Sequence, residues 1–233
     1  MNFIFSFIPK RISNGTIVAV YELLRHIQKL IPGRRQEHLA INQQAISHHL
    51  HVIEKNNGYV EDQNAYIDMP YGKSTMQFSG CEIFAVYNAM RSLLQHPVMD
   101  LPELIFYFEK DGMALNGKFG TSPKALRDFL KSNGFTAAFT AKEADFAAFT
   151  AKEADFAAFA AKYPGLIFTM YNDRNDIRKE IHTIHISKKG SMFTAHNVYC
   201  NGKVVGPFTS FDELIQNING GKAKGISLIG IKP

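Results

Sequence analysis

Between Thr16 and Ile31 the apolar side chains return every three or four residues. Ile17, Val20, Tyr21, Leu24, Ile27 and Ile31 fall on one helical face, and Pro32-Gly33 closes the run. A second helical pattern covers 34–55, with Leu39, Ala45, Ile46, Leu50 and Ile53 as its stripe and Asn57-Gly58 as its stop. The next stretch, YVEDQNAYIDMPYGKSTMQF (59–78), is polar and rich in turn formers, and it reads as a linker. Helical spacing resumes at Cys81 and runs to about Gln95. Another helix opens at Asp100, where Asp-Leu-Pro-Glu supplies an N-cap, an early proline and a capping-box glutamate, and ends near Gly112. A further one starts at Ser122-Pro123 and stops at Gly134.

Beyond Pro164 the pattern changes. LIFTMY (166–171), EIHTIHIS (180–187), MFTAHNVY (192–199), KVVGPF (203–208) and GISLIGI (225–231) are short and rich in branched or aromatic residues. Helices followed by such strands predict an α+β fold with an antiparallel sheet. The chain divides into an N-terminal helical segment (1–58), a linker (59–78) and a main domain (79–233). Between the helical and strand regions, FTAKEADFAA occurs at 139–148 and again at 149–158. Ten residues of helix turn through about 1000°, so the second copy lands roughly 80° off the face of the first. The duplication therefore lengthens a helix or loops one copy out, with no chemistry of its own.

The composition is that of an ordinary globular protein of 233 residues. Of its net charge of +5, most lies in residues 1–60, which hold seven Lys or Arg against three acids. These cations are scattered and not interleaved with aromatics, so no nucleic-acid partner is expected. The apolar runs FIFSFI and TIVAVY are far shorter than the ~18 residues that span a bilayer. No cleavage site follows the first of them, and a cytoplasmic location is expected. Two cysteines, Cys81 and Cys200, are too few for a disulfide scaffold.

Ser79-Gly80-Cys81-Glu82 fits the capping box S-x-x-E. With Ser79 as N-cap, Cys81 lies in the first turn, where free N–H groups and the helix dipole favour a thiolate. Cys81 is then either a nucleophile or a small core residue. A nucleophile needs a base and a group to orient it. His48 and His51 are three apart, but no carboxylate or cysteine completes a metal's ligand set there, and neither metal nor organic cofactor is expected. His182, His185 and His196 lie in the strand region. A two-residue turn at Lys189-Gly190 sets His182 opposite Asn197, His185 opposite Thr194 and His196 opposite Thr183. Directly opposed residues share a face, with Cβ atoms ~4.5–5.5 Å apart, so the Asn197 amide would orient the His182 ring. A second turn at Asn201-Gly202 sets Gly206 opposite Asn197.

A Gly-Cys opening a core helix, followed by a late His strand, a hairpin and an Asn, resembles the papain-like cysteine peptidase superfamily, closest to its bacterial C39-like branch. The resemblance covers roughly residues 70 to 233. It implies a papain-like α+β fold, Cys81 as nucleophile, His182 as base and acid, Asn197 as the orienting residue, and a peptide or amide substrate. The family places a glutamine that donates to the oxyanion about six residues before the cysteine. Here Thr75 holds that place and the nearest glutamine is Gln77, four before. The Cys-Gly-Pro continuation is replaced by Cys81-Glu82-Ile83. A hydrolase acting through an acyl-enzyme is the leading expectation. The rivals are a papain-like binding protein without turnover and an acyl or amide transferase.

Overall fold

Ser13 caps the first helix, its hydroxyl accepting from the Thr16 N–H at 3.1 Å. In the computed structural model, which describes residues 13–94, 97–141, 153–175, 180–199 and 201–233, this helix (α1, Asn14–Lys29) packs Ile17, Val18 and Tyr21 against Ala114, Phe119, Tyr171 and Ile226. Its buried face is rotated from the apolar stripe. Arg25 and Gln28 point inward, whereas Ile27 is exposed. The polar pair is compensated: Arg25 meets Asp111 at 2.8 Å and Asp128 at 3.3 Å, and Gln28 exchanges two hydrogen bonds with Asn116.

The single helix expected over 34–55 is broken. It consists of α2 (Arg35–Ala45), a 3₁₀ turn (Ile46–His48) and α3 (Leu50–Lys55). Polar groups again take inward positions. His38 Nδ1 lies 2.6 Å from Glu109, and Asn42 donates to the Pro70 carbonyl at 3.1 Å, while Leu50 faces solvent. The stretch expected to be a linker is core. Val60, Tyr66, Met69, Tyr71 and Met76 are all buried, and Pro70–Tyr71 (β1) pairs with Ser74–Thr75 (β2). Tyr and Met side chains spaced among turn formers hide this from any periodic pattern.

Two short helices follow, α4 (Met76–Ser79) and α5 (Cys81–Leu93). The next two begin where their caps indicate. Asp100 accepts from Glu103 N–H at the start of α6 (Leu101–Lys110), and Ser122 accepts from Lys124 N–H at the start of α7 (Pro123–Ser132). Then come β3 (Thr136–Thr140), α8 (Glu153–Ala160), β4 (Gly165–Tyr171), β5 (Ile181–Lys189), β6 (Met192–His196), β7 (Val205–Phe208), α9 (Phe211–Asn217) and β8 (Lys224–Lys232). The duplicated segment contributes the end of β3 and the body of α8. The rest of it, residues 142–152, lies outside the described residues.

The fold is α+β with one six-stranded antiparallel sheet, in the order β3-β8-β4-β5-β6-β7. One face, through Ile167, Ile229 and Ile231, joins α5, α6 and α7 in a common core. The other, through Leu166, Phe168, Ile184, Ile186 and Leu228, packs on α8 and α9. β4 is covered on both sides and buried at every residue, which is why LIFTMY reads as a continuous apolar run. No helix among the described residues is long and apolar enough to cross a membrane.

Removing residues 1–58 would uncover the partners of Ile17, Val18 and Tyr21, each apolar side chain contributing about 1.5–3 kcal/mol. The truncated chain is expected to melt at least 10 °C lower, roughly, or not to fold. An unchanged thermal midpoint by circular dichroism would mark the segment as an appendage.

Candidate active site

Helix α5 crosses the sheet on β5 and β4, and this sets the cysteine against the histidine strand. Cys81 and His182 line one cavity of about 400 Å³, together with Tyr21, Gln77, Glu82 and Tyr199. The N–H of Thr183, next in chain to His182, reaches the Cys81 sulfur. Cys81 is a free thiol and Cys200 lies outside the described residues.

The capping box expected at Ser79 does not form. The chain is already helical over Met76–Ser79, and Gly80 takes the N-cap position of α5. Ser79 Oγ instead pairs with Ser74 Oγ at 2.8 Å. Freed from the cap, the Glu82 carboxylate accepts the Cys81 S–H at 3.2 Å. Gly120, at φ +69°, makes room for it, since a Cβ there would lie 2.6 Å from Glu82 Oε1. Burial pushes the Cys81 thiol well up, and the neighbouring carboxylate adds to this by charge and by accepting its proton. The expectation that a helix start lowers this thiol is therefore reversed. Burial likewise raises Glu82 from the usual 4.5 to about 7, against N–H donors and the thiol that favour its charge.

The expected turn is displaced by one residue, which shifts every cross-strand partner by two. Gly190 (φ +60°) and Ser191 make the turn, and Lys189 pairs with Met192. Glycine at the first turn position suits a type II′ turn, so it sits one place earlier in the loop than Lys189-Gly190 would have it. His185 consequently faces His196, and Ala195 faces Ile186. Across the next turn Val205 pairs with Ala195 beside an irregularity, so Gly206 does not oppose Asn197. Asn197 lies just past the end of β6 at φ +56°. Its side chain turns away from the histidine to Gln63, donating to Oε1 and accepting from the backbone N–H, both at 3.2 Å.

His182 and Asn197 nevertheless meet, through the backbone. His182 Nε2 lies 2.7 Å from the Asn197 carbonyl oxygen. A carbonyl can only accept, so Nε2 carries the proton and Nδ1 is left with its lone pair. Burial lowers the His182 pKa, with the Asn197 bond opposing it, and the ring is neutral at pH 7. The resting pair is thus a neutral thiol and a neutral imidazole with a defined basic nitrogen.

Gln77 also lines the cavity. Met76–Ser79 and Gly80 are helical, so a spacing of four puts Gln77 on the face of Cys81, one turn earlier. Its backbone is tied to Tyr66 O and to Gln63 Nε2, while its side-chain Oε1 is buried without a hydrogen-bond partner among the described residues. Thr75 is not among the lining residues. Two site groups escaped the sequence: Tyr21 from α1 and Gln63 from the supposed linker. Glu82 was legible, as a carboxylate next to the cysteine that raises the thiol once it does not serve the cap. Among the described residues no group of three or more His, Cys, Asp or Glu is placed to hold a metal ion. No family model, curated protein or solved structure matches the chain.

Glu82 gives a pH signature. Its carboxyl is raised on folding, so the stability linked to its proton is complete below 4.5 and is lost as pH rises through about 7. The full loss is on the order of 3 kcal/mol. Urea unfolding at pH 5 and pH 8.5 is expected to show Glu82→Gln overtaking the parent at the higher pH. Identical pH slopes would put this carboxylate in water. The same substitution removes the charge that holds the thiol up, so Cys81 alkylation at pH 7 should quicken.

Proposed function

We propose that the chain is a papain-like cysteine hydrolase acting on a peptide or related amide. One observation carries this: a buried cysteine and a histidine whose bare nitrogen is fixed by a carbonyl line the same cavity. Cys81 Sγ attacks the substrate carbonyl carbon while its proton passes to His182 Nδ1. The imidazolium gives that proton to the amine nitrogen, the C–N bond breaks, and a thioester remains. Water then adds to the thioester with its proton going to Nδ1. The C–S bond breaks and the proton returns to sulfur. In this reading the Cys81 N–H and the Gln77 amide donate to the oxyanion. No metal or organic cofactor takes part. Asn197 acts through its carbonyl and not its amide.

A second reading, a papain-like protein that binds a peptide without turnover, draws on the high pKa of the thiol. The two part on whether His182 controls the sulfur. With Cys200→Ser as background, iodoacetamide is expected to alkylate Cys81 at pH 7 about a hundredfold faster than in a His182→Ala variant, the lower end of what a positioned base supplies. Equal rates would favour the binding protein. Product analysis with water and amine acceptors separates hydrolase from transferase.

The role of the Asn197 backbone can be tested at the same position. Glycine adopts φ +56° freely, whereas alanine is strained there by roughly 1–2 kcal/mol. Asn197→Gly is expected to keep more of the His182-dependent rate than Asn197→Ala. Equal losses would return the orienting role to the amide.

A further inference from the structure

A second cluster of titratable groups lies directly behind Asn197, and the proposed chemistry leaves it unused. Glu61 is buried at 4% exposure. Its Oε1 is 2.6 Å from His196 Nδ1, and its Oε2 accepts the Asn197 backbone N–H at 2.8 Å. The other nitrogen of His196, Nε2, is 3.0 Å from Ser187 Oγ. The ring is closed above and below, by Tyr59 at 4.2 Å and 6° and by His185 at 5.4 Å and 16°. A hydroxyl, an imidazole and a carboxylate in this order have the connectivity of a nucleophile with its base. Here both ring nitrogens are engaged and both ring faces are covered, so the imidazole has no free side for a substrate.

What the cluster does contact is the peptide that holds His182. Asn197 is gripped from one side only, by the segment 61–63. Its N–H goes to Glu61, its side-chain oxygen takes the Gln63 N–H, and its amide N–H goes to Gln63 Oε1. These three bonds fix a residue at positive φ, outside the strand, with its carbonyl aimed at His182 Nε2. An asparagine tolerates that conformation better than most residues, but nothing intrinsic selects it. A buried carboxylate is costly unless its lone pairs are filled, and each Glu61 oxygen has one N–H donor. The carboxylate and the peptide N–H therefore hold each other in place.

We propose that Glu61, braced by His196, is a positioning residue for the His182 base: it anchors the Asn197 peptide so that its carbonyl keeps Nε2 protonated and Nδ1 bare toward Cys81. The inference rests on the Cys81–His182 reading. A glutamine at position 61 presents one acceptor and one donor to two N–H groups, so one of the two bonds is lost while size and shape remain. At metal sites, where an outer partner likewise fixes the tautomer and orientation of a histidine, its loss changes function by about 10–100-fold, and the same scale is expected here.

The test is a double-mutant cycle on Cys81 alkylation by iodoacetamide in the Cys200→Ser chain, across pH 5.5–9 (a span of about two units either side of neutrality, to bracket the free histidine and thiol values). Glu61→Gln is expected to slow alkylation at pH 7 about tenfold. In a His182→Ala background it should have no further effect, because a positioning residue has nothing left to position. A residue that merely stabilises the fold would slow or speed both backgrounds alike. Histidine ¹⁵N shifts should report His182 protonated at Nε2 in the parent and mixed tautomers in Glu61→Gln. If Glu61→Gln does not fold, His196→Gln enters the same cycle with the same expected pattern. A folded Glu61→Gln or His196→Gln with the parent's pH profile and tautomer would overturn the inference and leave the Cys–His pair standing. If His182→Ala itself has no effect, the Cys–His pair and the positioning role fall together.

Discussion

Helix α5 has no solvent-exposed residue. From Cys81 to Leu93 every side chain is buried or half-buried, between the sheet on one side and α6, α7 and the 59–78 stretch on the others. A helix covered all round must satisfy each of its polar groups from neighbouring chain. Asn88 does this by bonding both Val60 N–H and Val60 C=O at 2.8 Å, in the manner of a strand partner. That contact docks the chain at 60, and the next three residues then lie across the end of β6. Glu61 and Gln63 reach Asn197, Asn197 reaches His182, and α5 returns to the loop of contacts through Cys81. Enclosure of one helix thus recruits the segment that orders the site.

The same enclosure sets the chemistry's starting point. In water a cysteine beside a helix start would tend toward thiolate. In this interior, desolvation outweighs the dipole, and the carboxylate next in sequence adds to it. The thiol keeps its proton, shared with Glu82, and the histidine stays neutral. On the proposed mechanism charge separates only with substrate bound, as the thiol proton moves to His182 and negative charge develops on the carbonyl oxygen.

The sequence carried the class of fold well, because caps and periodicity are local. Asp100, Ser122 and the strand runs from Leu166 onward needed only their neighbours to be read. It carried the site in part. Gly-Cys ahead of an apolar helix and His182 in a strand were visible, and they do share a cavity. The hairpin register was off by two, and because side chains alternate with period two, the residues kept their faces while changing partners. What stayed hidden was long-range. Glu61 and Gln63 find Asn197 across some 134 residues or more, and no window of sequence contains both ends. Polar residues bordered by turn formers looked like a linker, since nothing local says that their hydrogen bonds will be made inside.

The sheet order has a consequence for how such a chain comes into being. β8 lies between β3 and β4, although it is the last strand in sequence. Until it arrives, β3 is a lone extended segment, and β4 to β7 form a meander whose β4 edge is still unpaired. During synthesis on a ribosome, helix α5 therefore emerges long before there is a finished surface to receive it, and the thiol waits more than a hundred residues for His182. The β3 segment and the β4–β7 meander thus become one sheet only when β8 has slotted between them.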